Sequence, residues 1–128
     1  MALRLLLLDK SAYARGALDV AEGDEFCLCA VTRLELLYSA RSAHDYERLE
    51  DDLRQFRDLR MDAETFATAL GAQRDLAARG HHRVPIPDLL IAACAAQHGA
   101  DVVHVDRHFE MLERVLGFSA VRARPPLP

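Results

Sequence analysis

Lysine is almost absent from this sequence of 128 residues, in which Lys10 is the only lysine among 16 basic residues. The other basic side chains are arginines, which suit bidentate recognition of phosphate or carboxylate as well as pairing with surface acids. A genome rich in G and C produces the same preference, so this bias alone identifies no ligand. The formal net charge of −4 excludes the broadly basic type of nucleic-acid-binding protein.

The sequence also offers no segment that reads as a membrane span or a signal peptide. The apolar opening of residues 1–10, MALRLLLLDK, is too short to cross a bilayer. No small-residue cleavage site follows it, so we interpret it as a buried strand. Only three cysteines occur, without metal-binding spacing, and Cys27 and Cys29 alternate on one face of a predicted strand. We expect buried, reduced thiols in a cytoplasmic protein.

Composition and length predict one globular domain over residues 1–128. Hydrophobic residues make up 51% of the chain and charged residues 28%, which is enough apolar material for a core. No repeat, low-complexity tract or linker divides the sequence.

Strands alternate with helices along the chain. Apolar runs predict buried strands at residues 3–9, 25–31 and 100–106, and residues 119–124 can add an edge strand. Spacing and candidate caps, among them Ser11, Thr32 and Asp62, predict helices at residues 11–23, 32–42, 43–59, 63–80, 88–99 and 107–117. This order predicts an α/β fold with a mostly parallel sheet between two layers of helices.

Four acids are predicted to lie at one edge of that sheet. Asp9 and Asp106 directly follow two strands, and Asp88 begins the helix that leads into the second of them. Glu35 lies one turn into the helix after another strand. Because ligands of such sheets bind outside the carboxyl ends of the strands, these side chains are candidates for one site.

Each acid is equally consistent with a purely structural role. Asp9, Asp88 and Asp106 are each suitable as helix N-caps. Thr32 and Glu35 match the spacing of a capping box. A cluster of all four, however, would repel itself unless cations neutralised it. Mg²⁺ or Mn²⁺ suit such oxygen ligands, and metal-activated water suits phosphodiester cleavage.

Three stretches of the sequence together resemble the PIN-domain family, and in particular the VapC toxins of bacterial type II toxin–antitoxin systems. They are LLLLDKSA, VTRLELLYSARS and PIPDLLIAACAAQHGADVVHVDRHFE, at residues 5–12, 31–42 and 85–110. The resemblance extends over nearly the whole chain. It implies a three-layer α/β/α PIN-like fold and an Mg²⁺- or Mn²⁺-dependent endoribonuclease that a VapB-type antitoxin inhibits. VapC-like proteins are typically homodimers, so the resemblance also implies a homodimer.

The resemblance implies a role for particular residues. The expected catalytic acids are Asp9, Glu35, Asp88 and Asp106. Of these, Asp9, Asp88 and Asp106 would hold the metal, and Glu35 would orient or deprotonate the attacking water. Attack in line on phosphorus would leave a 5′-phosphate and a 3′-hydroxyl. Ser11 matches a hydroxyl position near the metal or substrate, and Arg107 is a candidate phosphate contact.

His108 departs from the family pattern, because many relatives carry a further acid there. Its imidazole is compatible with binding Mn²⁺, with contacting phosphate, or with a solvated position at a helix start. An apolar stripe formed by Tyr38, Tyr46, Leu49 and Phe56 is a candidate for core or for the groove that receives the antitoxin.

Two other classes that gather acids at strand ends are excluded. A receiver domain needs a lysine on a late strand, and a haloacid-dehalogenase-type phosphatase needs an aspartate where this chain has Ser11. A catalytically silent PIN-like module that binds RNA or protein is the remaining alternative.

Overall fold

The computed structural model describes residues 3–15, 23–105 and 108–122, with only the backbone at residues 14 and 15. These residues form five strands and six helices. In chain order they are β1 (Arg4–Leu8), α1 (Lys10–Arg15), β2 (Asp24–Leu28), α2 (Ala30–Tyr38), α3 (Ala43–Leu53), β3 (Arg57–Asp58), α4 (Ala63–Ala78), α5 (Ile86–His98), β4 (Asp101–His104), α6 (His108–Leu112) and β5 (Ala120–Arg122).

The strands form one sheet in the order β3-β2-β1-β4-β5, and every pairing is parallel. The predicted α/β class and parallel sheet are therefore confirmed. The chain builds outward from β1 to β3, then returns to place β4 on the other side of β1. This reversal of strand order makes the carboxyl ends of β1 and β4 a topological switch point, where crevices form in such sheets.

Helices cover both faces of the sheet because its central strands are apolar on both sides. Successive side chains of a strand point to opposite faces. Leu7 accordingly packs into one buried cluster, while Leu6 and Leu8 pack into the other. Val102 and Val103 on β4 divide in the same way. Two apolar cores on either side of one sheet confirm the three-layer arrangement.

The first helix begins one residue earlier than its predicted serine cap. α1 starts at Lys10, and the Asp9 carboxylate takes the capping place by accepting a hydrogen bond from the Ser11 backbone N–H. Asp9 therefore does cap a helix, as its structural interpretation proposed. Asp62 also caps as predicted, since its carboxylate accepts from the backbone N–H groups of Glu64 and Thr65 at the start of α4.

The predicted capping box at Thr32 and Glu35 is wrong. α2 already begins at Ala30, so Thr32 lies inside the helix. Its buried hydroxyl donates instead to the backbone carbonyl of Leu8, at 3.0 Å, and ties α2 to the end of β1. The threonine hydroxyl thus takes part in tertiary packing, and the Glu35 side chain does not take part in a capping box.

Asp88 is not a helix cap either. α5 begins at Ile86, after the cap residue Pro85, and Asp88 is its third residue. Pro87 is tolerated there because the first turn of a helix needs no N–H donors. The proline pair therefore initiates the helix rather than forming the loop before it.

The predicted helix over residues 43–59 ends early, and a short strand was missed. α3 stops at Leu53, and β3 adds to the edge of the sheet beside β2. The backbone N–H of Leu59 donates to the carbonyl of Leu28 and anchors the exit of that strand. Two exposed charged residues give no apolar strand pattern, so sequence reasoning could not find β3. α6 is also shorter than predicted, whereas the edge strand at β5 is confirmed.

The predicted apolar stripe divides into two parts. Leu49 and Phe56 are partly buried against the core. Tyr38 and Tyr46 are exposed. Only the tyrosines are therefore available to a partner.

None of the helices in the described part of the chain is long and apolar enough to cross a membrane.

Candidate metal and active site

Asp9 and Ser11 join the two strand ends at the switch point. The Asp9 side chain is buried, and its Oδ2 atom accepts hydrogen bonds from the Ser11 hydroxyl at 2.5 Å and the Ser11 backbone N–H at 3.1 Å. The same hydroxyl oxygen accepts from the backbone N–H of Val105, at 3.1 Å, just past β4. One serine therefore holds the acid after β1 against the chain that leads from β4 towards Asp106.

Glu35 reaches the same region from α2. Its Oε2 atom lies 3.2 Å from the Nζ atom of Lys10, the first residue of α1. The Glu35 side chain is mostly buried, with an exposed fraction of 18%, whereas that of Lys10 is 57%. The hydrogen bond and charge of Glu35 raise the pKa of Lys10, and the charges of Asp9 and Asp88 act in the same direction. The charges of three carboxylates therefore act on one ammonium group, which contacts Glu35 directly.

Asp88 enters from the first turn of α5 and meets His108. The Nδ1 atom of His108 donates to the Asp88 Oδ2 atom at 3.1 Å. The histidine side chain is one third exposed, so it is not the fully solvated group that one interpretation proposed. A bond from imidazole to carboxylate at this place restrains the orientation of Asp88.

Lys10 thus contacts Glu35 and lies within the electrostatic reach of Asp9 and Asp88, and the predicted metal cluster of these acids stays a prediction. Asp106 and Arg107 lie outside the described residues, and their predicted roles stay predictions. The hydroxyl of Ser11 binds Asp9 and Val105, so its predicted contact with substrate also remains untested.

Two buried carboxylate oxygens in this cluster fit the chemistry of a divalent cation. Asp9 Oδ1 and Glu35 Oε1 are inaccessible to water and accept no hydrogen bond from the described part of the chain. Buried polar atoms without partners are rare because their desolvation is costly. Hard cations such as Mg²⁺ bind carboxylate oxygens of this kind. Among the described residues, which do not include Asp106, no group of three or more histidine, cysteine, aspartate or glutamate side chains is arranged to hold an ion.

Comparison with known proteins identifies the family. The sequence profile of the PIN domain matches residues 2–115. The chain belongs to the PIN-domain family. Among its relatives in Mycobacterium tuberculosis, the protein named Ribonuclease VapC17 is 43% identical over 122 residues, covering 89% of this chain and 92% of that one. Ribonuclease VapC51 is 38% identical over 124 residues, covering 91% of this chain and 90% of the relative.

Solved structures share the PIN fold at lower identity. A DNA-bound VapBC from Salmonella typhimurium has a TM-score of 0.74 at 22% identity, covering 95% of this chain and all of that one. VapBC-5 from Mycobacterium tuberculosis has a TM-score of 0.71, also at 22% identity, over 92% of this chain and 98% of the other.

A cleft of about 400 Å³ in this PIN domain is lined in part by His108, which contacts Asp88. It is lined by residues from the α4–α5 loop and from α6, namely Gly80, His81, Arg83, Val84, His108 and Met111. Arg83 is exposed, and no acid within the described ranges forms an ion pair with it. The cleft therefore offers a cationic side chain together with His108.

Sequence reasoning overlooked Lys10 and the partners of His108 and Ser11. Lys10 was available as a signal, because the only lysine of the chain directly follows the first candidate acid. His108 contacts a residue 20 positions away, and Ser11 contacts one 94 positions away. No local sequence pattern predicts contacts at such separations.

Replacing Ser11 tests the link between the strand ends. Ser11→Ala leaves the Val105 N–H without its acceptor and takes from Asp9 Oδ2 one of its two donors, so we expect the free energy of unfolding to fall by about 1–3 kcal/mol. Ser11→Thr keeps the hydroxyl and is expected to retain most of the stability. The measurement is urea unfolding followed by circular dichroism. Ser119→Ala, at an exposed serine, is the matched control, and an equal loss in both alanine variants would contradict the bridging role.

Proposed function

We propose that this PIN domain is an Mg²⁺- or Mn²⁺-dependent endoribonuclease and the toxin of a type II toxin–antitoxin system. The observation that carries the proposal is a pair of buried oxygens, Asp9 Oδ1 and Glu35 Oε1, that accept no hydrogen bond from the described part of the chain. Relatives named as VapC ribonucleases at up to 43% identity support the choice of RNA as substrate.

Asp9 and Asp88, with Asp106, would hold the metal. Ser11 keeps Asp9 in place through one oxygen, which leaves Oδ1 for the ion. His108 similarly restrains Asp88 through Oδ2. A bound divalent ion supplies an activated water and neutralises charge that develops on phosphate.

Glu35 is suited to the proton transfer. Lys10 contacts its Oε2 atom, while Oε1 faces no donor in the described part of the protein. We assign to Oε1 the orientation of the attacking water and the acceptance of its proton. Attack in line on phosphorus then expels the 3′ oxygen, leaving a 5′-phosphate and a 3′-hydroxyl.

Removing single carboxylates tests this reaction. Glu35→Gln is expected to slow cleavage of RNA by about 10²–10⁴-fold, the usual contribution of a general base. Asp9→Asn and removal of metal with EDTA are expected to abolish cleavage. The measurement is cleavage of total RNA by the purified, antitoxin-free chain, followed by mapping of the end groups. Asp75→Asn, an exposed acid on α4, is the control.

Two results would contradict the proposal. Cleavage that survives EDTA and the Asp9→Asn change would overturn the metal mechanism. An intact protein that binds RNA without cutting any would instead identify a catalytically silent binding module.

We place an RNA phosphate next to the scissile bond in the cleft beside His108. The cleft is continuous with Asp88 through His108, and Arg83 provides a charged donor for phosphate oxygens. The apolar side chains of Val84 and Met111 offer a wall for a base or sugar. An acidic protein can thereby hold a polyanion through a local patch and a bound ion.

The salt dependence of RNA binding tests this cleft. RNA affinity falls as salt concentration rises. When the logarithm of the affinity is plotted against the logarithm of the salt concentration, each phosphate contact to a single strand contributes about −0.7 to the slope. Arg83→Ala, made in the Asp9→Asn background, is therefore expected to reduce the slope by about 0.7. Fluorescence anisotropy with a labelled single-stranded RNA measures it. Arg48→Ala on α3 is the control, and an unchanged slope for Arg83→Ala would exclude the contact.

Two exposed apolar faces suit the two protein partners that we propose. Leu34, Tyr38 and Tyr46 on α2 and α3 are exposed by 66%, 91% and 41%. Phe66, Leu70 and Ile86 on α4 and α5 are exposed by 52%, 68% and 64% and border an apolar groove of about 340 Å³. Such patches mark interaction surfaces. We assign the α2–α3 face to a VapB-type antitoxin and the α4–α5 face to a homodimer, which would act on RNA in the cytoplasm.

Charge placed on each face separates the two assignments. Leu70→Glu is expected to shift the chain alone from dimer to monomer, because a charge would be buried in the contact. Tyr38→Glu is expected to leave the dimer intact and to weaken binding of the VapB-type protein expected from a short upstream reading frame. Analytical ultracentrifugation measures both with and without that protein. The opposite pattern would reverse the assignment, and no effect of either change would refute it.

A further inference from the structure

Lys10 has an unusual position for the only lysine of the chain. It begins α1 directly after Asp9, and its ammonium group lies 3.2 Å from Glu35 Oε2. No motif required a cation here, and the proposed hydrolysis does not use one. The contact nevertheless places a positive charge among carboxylates that are proposed to bind metal.

The pair differs from the ordinary ion pairs on the surface of this protein. Asp51 on α3 and Arg54 just after it, for example, are exposed by 67% and 71%, and pairs of this kind contribute little because water screens them. Glu35 has an exposed fraction of only 18%, and Asp9 and Asp88 nearby are buried to 3% and 8% exposure. Three acids in such surroundings repel one another more strongly than surface acids do.

The ammonium group of Lys10 reduces this repulsion without closing the site. It contacts only one oxygen of Glu35, while Glu35 Oε1 and Asp9 Oδ1 remain without donors in the part of the chain that the structure describes. The lysine side chain is more than half exposed and has a flexible four-carbon stem, so it can withdraw into solvent. A divalent ion bound to Asp9 and Asp88 would repel it in that direction.

We propose that Lys10 is the counter-ion of these acids in the metal-free protein, and that its positive charge opposes binding of the divalent ion. The inference rests on the proposed metal site and adds a regulator of its affinity. Lys10 stabilises the empty cluster, and it lowers the affinity for metal below the value that the acids alone would provide. The protein then folds without metal and loads its ion only at a sufficient concentration.

Calorimetric titration of the purified chain with Mn²⁺, in the absence of RNA, tests the proposal. Lys10→Met removes the charge and keeps a similar length, so we expect Mn²⁺ to bind at least about 5-fold more tightly, within the usual range for coupled ligands. Lys10→Arg keeps the charge and is expected to bind Mn²⁺ as the parent does. Arg54→Met, which removes a paired surface cation just after α3, is the matched control and should leave the affinity unchanged.

Thermal unfolding gives a second measurement of the same effect. Lys10→Met is expected to melt at a lower temperature than the parent without metal and to show a larger rise on addition of Mn²⁺. If this variant does not fold without metal, Lys10→Gln replaces it in both experiments.

The possible failures are distinguishable. A parent chain that binds no Mn²⁺ overturns the proposed metal site and this inference with it. A parent that binds Mn²⁺ with the same affinity as Lys10→Met overturns the inference alone. Unchanged Mn²⁺ affinity together with weaker RNA binding would identify Lys10 as a phosphate contact instead, which also overturns it.

Discussion

A single serine hydroxyl connects the two strand ends on which the candidate site depends. Ser11 donates to Asp9 after β1 and accepts from the backbone of Val105 after β4. These strands are neighbours only because the order of the sheet reverses between them. One Asp9 oxygen is occupied in this bond, and the other is buried with no hydrogen-bond partner among the described residues, which suits it to an ion. The geometry of the site therefore follows from a contact that holds the fold together.

The acids of the site are balanced by groups from different elements. Lys10 from α1 contacts Glu35 on α2, and His108 from α6 contacts Asp88 on α5. Neither contact uses both oxygens of its acid. This arrangement limits repulsion among buried carboxylates, and Asp9 Oδ1 and Glu35 Oε1 accept no hydrogen bond from the described residues. Asp62, by contrast, uses its carboxylate to cap α4 and to accept from the amide of Gln97, and it lies outside this cluster.

Patterns that depend on neighbouring residues predicted the fold well. Apolar runs predicted β1, β2 and β4, and the order of elements predicted the parallel sheet. Predictions of helix caps were less successful, because several residue types cap equally well. Asp9 and Asp62 do cap helices, whereas the Thr32 hydroxyl binds the Leu8 carbonyl. The strand β3 was not predicted, because its two exposed charged residues show no strand pattern and join the sheet only by pairing with β2.

The sequence by itself determined that Asp9 follows the carboxyl end of β1, because a continuous apolar run directly precedes it. It also determined the family, through motifs spread over the whole chain. Only the tertiary structure decided which oxygen of each acid is occupied and by which partner. Ser11 and Val105 are 94 residues apart, and His108 and Asp88 are 20 apart. Contacts at such separations depend on how the sheet is ordered and how helices pack on it, which local sequence does not encode.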